Sequence, residues 1–253
     1  MDLFDLPDEA GRRVSAWEHT ETYIKEARPL SATHKIVVKG SIDVLFRRSD
    51  KPTMVIAGET AEAVALVKTY IDGSKLVIER EGVTISFGSS SVRVAGTMGQ
   101  IVHGDWNGPL HIDMRGKGIT ITGVPRDAIN HGKVVVGIAM PEAPAIKIKG
   151  SGDMTLVDLQ QASLDLEIEG SGAITAYGQV DRLDVQISGS GDVDASELSA
   201  DRASLSVTGS GDIVALVSSD AHARVVGSGD IVVFGNPSQR NHSVTGSGKI
   251  KFK

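Results

Sequence analysis

The 253-residue sequence has no cysteine. That absence removes disulfide staples, thiolate metal sites and cysteine nucleophiles together. Aromatic residues are scarce, with two Trp, three Tyr and five Phe, so few rings exist on which a saccharide could stack. Basic residues never gather beyond pairs such as Arg12-Arg13 and Arg47-Arg48, and the formal net charge is −6. A nucleic-acid groove needs a basic stripe to neutralise phosphates, so nucleic acid is not an expected partner. No apolar run reaches the roughly 18 residues of a membrane-spanning helix, and no membrane span is expected. The opening MDLFDLPDEAGRRVSAWEHTETYIKEAR lacks the basic start and apolar run of a secretory leader. The chain as written therefore reads as cytoplasmic, and as exported only if a leader has been removed.

Glycine, in contrast, is abundant at 29 residues, and it is ordered. The triplet Gly-Ser-Gly occurs at 150–152, 170–172, 189–191, 209–211, 227–229 and 246–248, at spacings of 20, 19, 20, 18 and 19 residues. This period is too short for a propeller blade or a helical repeat and points to a β-solenoid. A coil of about 19 residues at roughly 3.3 Å each gives a path long enough for three short strands and three corners. Two residues past each triplet stand Met154, Ile174, Val193, Ile213, Ile231 and Ile250, and two before it Ile148, Ile168, Ile187, Val207, Val225 and Val244. Alternation with polar neighbours gives one inward and one outward face, repeated coil after coil. The fold class is all-β: a parallel solenoid with its triplet corners stacked in one column.

The corner explains the repetition. Gly150, Gly152, Gly170, Gly172, Gly189, Gly191, Gly209, Gly211, Gly227, Gly229, Gly246 and Gly248 are assigned as structural corners. Both glycines point inward, where a side chain would strike the neighbouring coil. The serine between them points outward and can bond along the ladder. Weaker versions of this grammar, at KGSIDVLF, GSSSVRVAG and GKGITITG, extend the solenoid upstream as irregular, looped coils over residues 30–149, ahead of the regular coils at 150–253. Residues 54–80 read as strand, short helix or turn, then hairpin. Residues 1–29 read as a flexible or loosely helical tail.

These features resemble the putative auto-transporter adhesin family, the head GIN domain. The resemblance rests on the block HKIVVKGSIDVLFRRSDKPTMVIAGETAEAVALVKTYIDGSKLVIER, the periodic GSGD and the ending FGNPSQRNHSVTGSGKIKFK. It covers about residues 30–253 outside the looped insertion near 95–135. It implies a right-handed parallel β-helix in bacterial envelope or surface proteins, and it brings no catalytic residue set.

Two groups of side chains are candidate ligand or ion contacts. The residue after the triplet is Asp at 192, 212 and 230, and aspartates stacked about 4.8 Å apart need a compensating donor or a hard cation. An Asx-type corner bond is the preferred reading of Asp192, Asp212 and Asp230, with no metal. The segment HGDWNGPLHID carries His103, Asp105 and Trp106, followed by His111 and Asp113, and reads as polar loop sequence rather than a metal site. No cofactor is expected. The favoured function is a non-enzymatic scaffold or binding module with a protein or glycan ligand, adhesin-like by the resemblance. A carbohydrate-active solenoid enzyme is the alternative. So is an intracellular scaffold that self-assembles through its open strand edges, although three lysines in the terminal KIKFK oppose such joining.

Overall fold

The computed structural model describes residues 22–80 and 132–253, and the backbone alone of 84–87, 92–95, 111–113 and 120–122. The N-terminal block contains β1 (Ile24–Arg28), β2 (Lys35–Gly40), β3 (Asp43–Arg48), β4 (Thr53–Gly58), a one-turn helix α1 (Ala61–Ala65), β5 (Val67–Asp72) and β6 (Lys75–Arg80). Four short strands follow: β7 (Thr84–Phe87), β8 (Val92–Ala95), β9 (His111–Asp113) and β10 (Thr120–Thr122). Next come β11 (Val134–Met140), β12 (Ala145–Gly150), β13 (Met154–Gly170), β14 (Ala173–Gly189), β15 (Asp192–Gly209), β16 (Ile213–Gly227), β17 (Asp230–Phe234), β18 (Gln239–Gly246) and β19 (Lys249–Phe252).

Fifteen of these strands form one sheet that winds into a parallel β-solenoid of about five turns. Two ladders run along it, one on each side of the glycine corner. The chain enters the corner through the ladder β6-β2-β12-β13-β14-β15-β16-β18, in which Ile78, Val38, Ile148, Ile168, Ile187, Val207, Val225 and Val244 stand in register. It leaves through β3-β13-β14-β15-β16-β17-β19, in which Val44, Met154, Ile174, Val193, Ile213, Ile231 and Ile250 are aligned. Most of these aliphatic side chains lie in a single core that runs the length of the molecule. Like over like is what lets coils of such uniform composition pack without voids.

The coils differ from the expected three short strands. From β13 to β16 each coil is one strand of 15 to 18 residues, unbroken except at the glycine corner. Bends are absorbed by register shifts, as between Leu156 and Leu159 in β13 or between Ala195 and Ser199 in β15. A bulge bends a strand without ending it.

The N-terminal block departs further from a simple stack. β11 lies parallel to β3, β4 pairs antiparallel with β11, and β1 antiparallel with β4, so one ladder ends in two antiparallel pairings in which β4 alone runs against the coils. On the other ladder β6 lies parallel to β2 and is covered by antiparallel β5. The expected order of strand, short helix and hairpin over 54–80 is present, with the Thr60 hydroxyl accepting the Ala63 N–H (3.1 Å) as the N-cap of α1. Within the segment expected to be a tail, β1 is a sheet strand. Within the segment expected to be looped coils, β7 pairs with β8 and β9 with β10, which among the described residues form two small antiparallel sheets separate from the solenoid.

Candidate binding faces

The corner column contains seven stacked glycines, since Gly40 pairs with Gly150 below Gly170, Gly189, Gly209, Gly227 and Gly246. The two glycines of a triplet are needed for different reasons. The first adopts φ between +126° and +140° from Gly150 to Gly246, a region closed to most L-residues. The second is ordinary in φ, but a Cβ there would meet the carbonyl of the coil beneath: at Gly211 it would lie 2.0 Å from the Gly191 oxygen and 2.9 Å from Ile187 Cγ2. At the base of the column this restriction relaxes. The counterpart of the second glycine is the buried Ile42, and a Cβ on Gly40 would lie 3.4 Å from the Arg80 oxygen.

Backbone bonds hold the column together. Each first-glycine carbonyl accepts the serine N–H of the next coil, for example Ser210 to Gly189 (2.8 Å) and Ser228 to Gly209 (2.8 Å). The serine hydroxyls play a smaller part than their stacking suggests. Ser41 and Ser151 lie 2.7 Å apart, while the hydroxyls of Ser171, Ser190, Ser210, Ser228 and Ser247 make no such bond among the described residues.

Asp192, Asp212 and Asp230 lie on the outer side of the strands leaving the corner. Their carboxylates accept N–H bonds from the following coil: Asp212 to Asp192 (2.9 Å), Asp230 to Asp212 (2.7 Å) and Lys249 to Asp230 (2.8 Å). Asp153 does the same for Ala173 (3.0 Å), and Asp43 for Asp153 (3.2 Å). The bond therefore joins one coil to the next rather than closing a turn within one coil. Where alanine interrupts the column at 173, the Asp192 N–H turns instead to the Gly172 carbonyl (3.2 Å). Burial raises the Asp43 carboxyl above its usual range at the base of this column. No group of three or more His, Asp or Glu that could hold a metal ion occurs among the described residues. His103, Asp105 and Trp106 lie outside the described residues, as do the side chains of His111 and Asp113.

The face entering the corner changes character along its length. Over the first coils its outward positions form an ion ladder: Glu79 to Lys39 (3.1 Å), Lys35 to Glu167 (2.9 Å), Lys147 to Glu167 (2.6 Å) and to Glu169 (2.5 Å), and Lys149 to Glu169 (2.9 Å). Hydrogen bonds from Lys147 and then Lys149 pull the Glu169 carboxyl down to about 2. Over the last three coils the charges thin out. Ser204, Ser206, His222, Arg224, Asn241 and Ser243 line a shallow groove of about 330 Å³, and Arg224 has no ion-pair or hydrogen-bond partner among the described residues.

The face leaving the corner has its own gradient. Its outward positions are Asp192 and Asp194 on one coil and Asp212, Val214 and Leu216 on the next. Then come Asp230, Val232 and Phe234, and finally Lys249, Lys251 and Lys253. Val214, Leu216, Val232 and Phe234 are all partly exposed. The stacking of the coils was readable from the repeat, but neither this patch nor the groove was marked as a site, because each is assembled from residues about 19 apart.

A family model described as "Putative auto-transporter adhesin, head GIN domain" matches residues 33–237. The fold is similar to that of a putative adhesin from Bacteroides fragilis NCTC 9343, with a TM-score of 0.59 at 19% identity, covering 91% of this chain and 97% of that one. It is also similar to a putative lipid binding protein from Parabacteroides distasonis ATCC 8503, with a TM-score of 0.51 at 19% identity, covering 92% and 97%. No curated protein matches the chain.

Proposed function

The chain belongs to the putative auto-transporter adhesin, head GIN domain family, and from that premise we propose that it is a non-enzymatic binding module of the bacterial envelope or surface. The observation that carries this reading is the register-locked outer face of the coils. Backbone ladders and the glycine column fix outward side chains in straight rows, so a broad surface is organised before any ligand arrives. Within it the hydroxyls, amides and Arg224 guanidinium of the last three coils stand ready for an external partner. The aspartates after the triplet, the candidate ligand or ion contacts, are occupied in joining coils.

Immobilised protein presented with an oligosaccharide panel and with envelope and host-surface proteins is expected to retain at least one ligand unchanged. Release of shortened saccharide products would overturn the non-enzymatic assignment. Fractionation of the native cells with an antibody against the chain is expected to place it with the envelope; recovery only in the soluble cytoplasm would overturn the location.

A further inference from the structure

We propose that a second copy of this chain docks on the face leaving the corner, packing sheet against sheet across a two-fold axis parallel to the strands and midway between the β16 and β17 coils. This goes beyond the binding reading, which concerns a foreign ligand.

The argument begins from a break in alternation. An outward position on a solvated sheet face is normally polar, and Thr155, Thr175 and Asp194 obey this rule in the column that then continues to Val214 and Val232. Leu216 and Phe234 stand side by side in the next column. At the other end of the same face the outward apolar residues are covered: Leu45, Ala57 and Val135 are at most 1% exposed and join Val157 in a separate apolar cluster with Tyr23, Val55 and Tyr177. The apolar quartet on β16 and β17 stays partly open. Contiguous apolar surface with a polar margin marks an interaction site.

The margin identifies the occupant. One coil before the quartet the outward row is acidic, with Asp192 and Asp194. One coil after it the row is basic, with Lys249, Lys251 and Lys253. A two-fold axis along the strands exchanges these rows. Lys251 then faces Asp194 of the second copy and Lys249 faces its Asp192, while Val214 meets Val232 and Leu216 meets Phe234. The patch is self-complementary, as an isologous interface must be. An axis along the solenoid would instead set lysine against lysine. The one unfavourable juxtaposition, Asp212 against Asp230, falls at the corner edge, where both carboxylates already accept backbone N–H bonds. A strand-parallel axis also keeps the two sets of strands aligned, as in sheet-on-sheet packing.

Four coils at about 4.8 Å and some six residues at about 3.3 Å enclose roughly 400 Å² per copy. Doubled, that is about 800 Å² in total, below the roughly 1,200 Å² at which stable specific interfaces begin, so the dimer is a weak, transient one. Sedimentation velocity on the full chain, carried to the highest soluble concentration, is expected to show a monomer–dimer equilibrium. Lys251→Glu and Asp194→Lys each reverse one side of a pair that occurs twice in the dimer, and each should weaken association about tenfold or more. The two together should restore it, which loss of folding could not imitate. Val232→Ser with Phe234→Ser should abolish association while circular dichroism stays unchanged. A monomer at every concentration, long end-to-end species, or a dimer indifferent to these substitutions would overturn the proposal. So would flotation with phosphatidylglycerol vesicles in the absence of self-association, which would assign the patch to an anionic lipid surface. None of these outcomes depends on whether the oligosaccharide panel yields a ligand.

Discussion

At position 211 one methyl carbon separates a fold from a collision. A Cβ there meets a backbone carbonyl at 2.0 Å, and a carbonyl in a ladder cannot move aside as a side-chain tip can. Gly211→Val is expected to destabilise the fold by about 3 kcal/mol or more, above the usual range for overpacking, while the outward Ser210→Ala stays within about 0.5 kcal/mol. Thermal melts of the two variants check both, and a silent valine would refute the corner geometry. The neighbouring aspartate has a subtler role. Asp212→Ala leaves the Asp230 N–H to water and is expected to cost about 1 kcal/mol, whereas Asp212→Asn, which keeps a side-chain acceptor, should cost less. Calcium should leave the melting temperature of the wild type unshifted, because the carboxylates are oriented onto N–H donors of the next coil. The sequence made these residues conspicuous without revealing their partner. An aspartate after glycine suggests a bond within its own turn, and only the register of neighbouring coils shows that the donor lies 18 to 20 residues away.

Elements were legible where they repeat. The Ile and Val columns on both sides of the triplet are a period-2 pattern that survives translation by one coil, so in and out could be assigned from sequence. Strand continuity could not. The polar run DLQQAS, between Val157 and Leu164, looks like a loop, yet β13 passes through it, with Asp158 at φ +60° taking part of the bend. Edge reversal was equally hidden: the alternation of MVIAG fits β4 whether its neighbour runs parallel or antiparallel. The outward positions of the entering face are cross-linked by charge, which alternation alone does not reveal. Glu169 sits in the ladder with its carboxyl near 2, chiefly through hydrogen bonds from Lys147 and Lys149. A carboxyl depressed on folding contributes stability that is complete above its unfolded value, near 4.5, and is lost as pH falls toward 2. The melting temperature of the wild type should therefore fall through that acid window, and Glu169→Gln should lower the melting temperature at neutral pH, modestly because exposed ion pairs contribute weakly, and flatten the acid fall by the same amount. An unchanged acid slope in the variant would remove Glu169 from the account.

The whole molecule is asymmetric about its middle. Among the described residues the four most exposed large apolar side chains, Ile24, Tyr70, Ile71 and Val244, all lie on strands that end a ladder. At the N-terminal end those strands are β1 and β5, each paired antiparallel with its neighbour. At the other end β18 and β19 lie parallel on the coil beneath, and every residue of β18 is exposed. In a solenoid each coil gains stability only from its neighbours, so stability is summed along the axis and local opening begins where a neighbour is missing. Hydrogen exchange should accordingly be fastest in β18 and β19 and slowest in β14 and β15. Two substitutions separate position from chemistry. A Cβ on Gly191 would lie 2.4 Å from the Gly172 oxygen and 2.7 Å from Ile168 Cγ2, and one on Gly248 would lie 2.1 Å from the Gly229 oxygen and 2.7 Å from Val225 Cγ1. The collisions are nearly the same, but one is central and the other terminal. Gly191→Val should lower the main melting transition by several degrees, at about 2–4 °C per kcal/mol for a chain of this size. Gly248→Val should release only the protection of β18 and β19, because detaching one coil relieves the clash at the loss of a single interface. Equal global destabilisation by both valines would mean that the coils fold as one indivisible unit, and the additive account of the solenoid would fail.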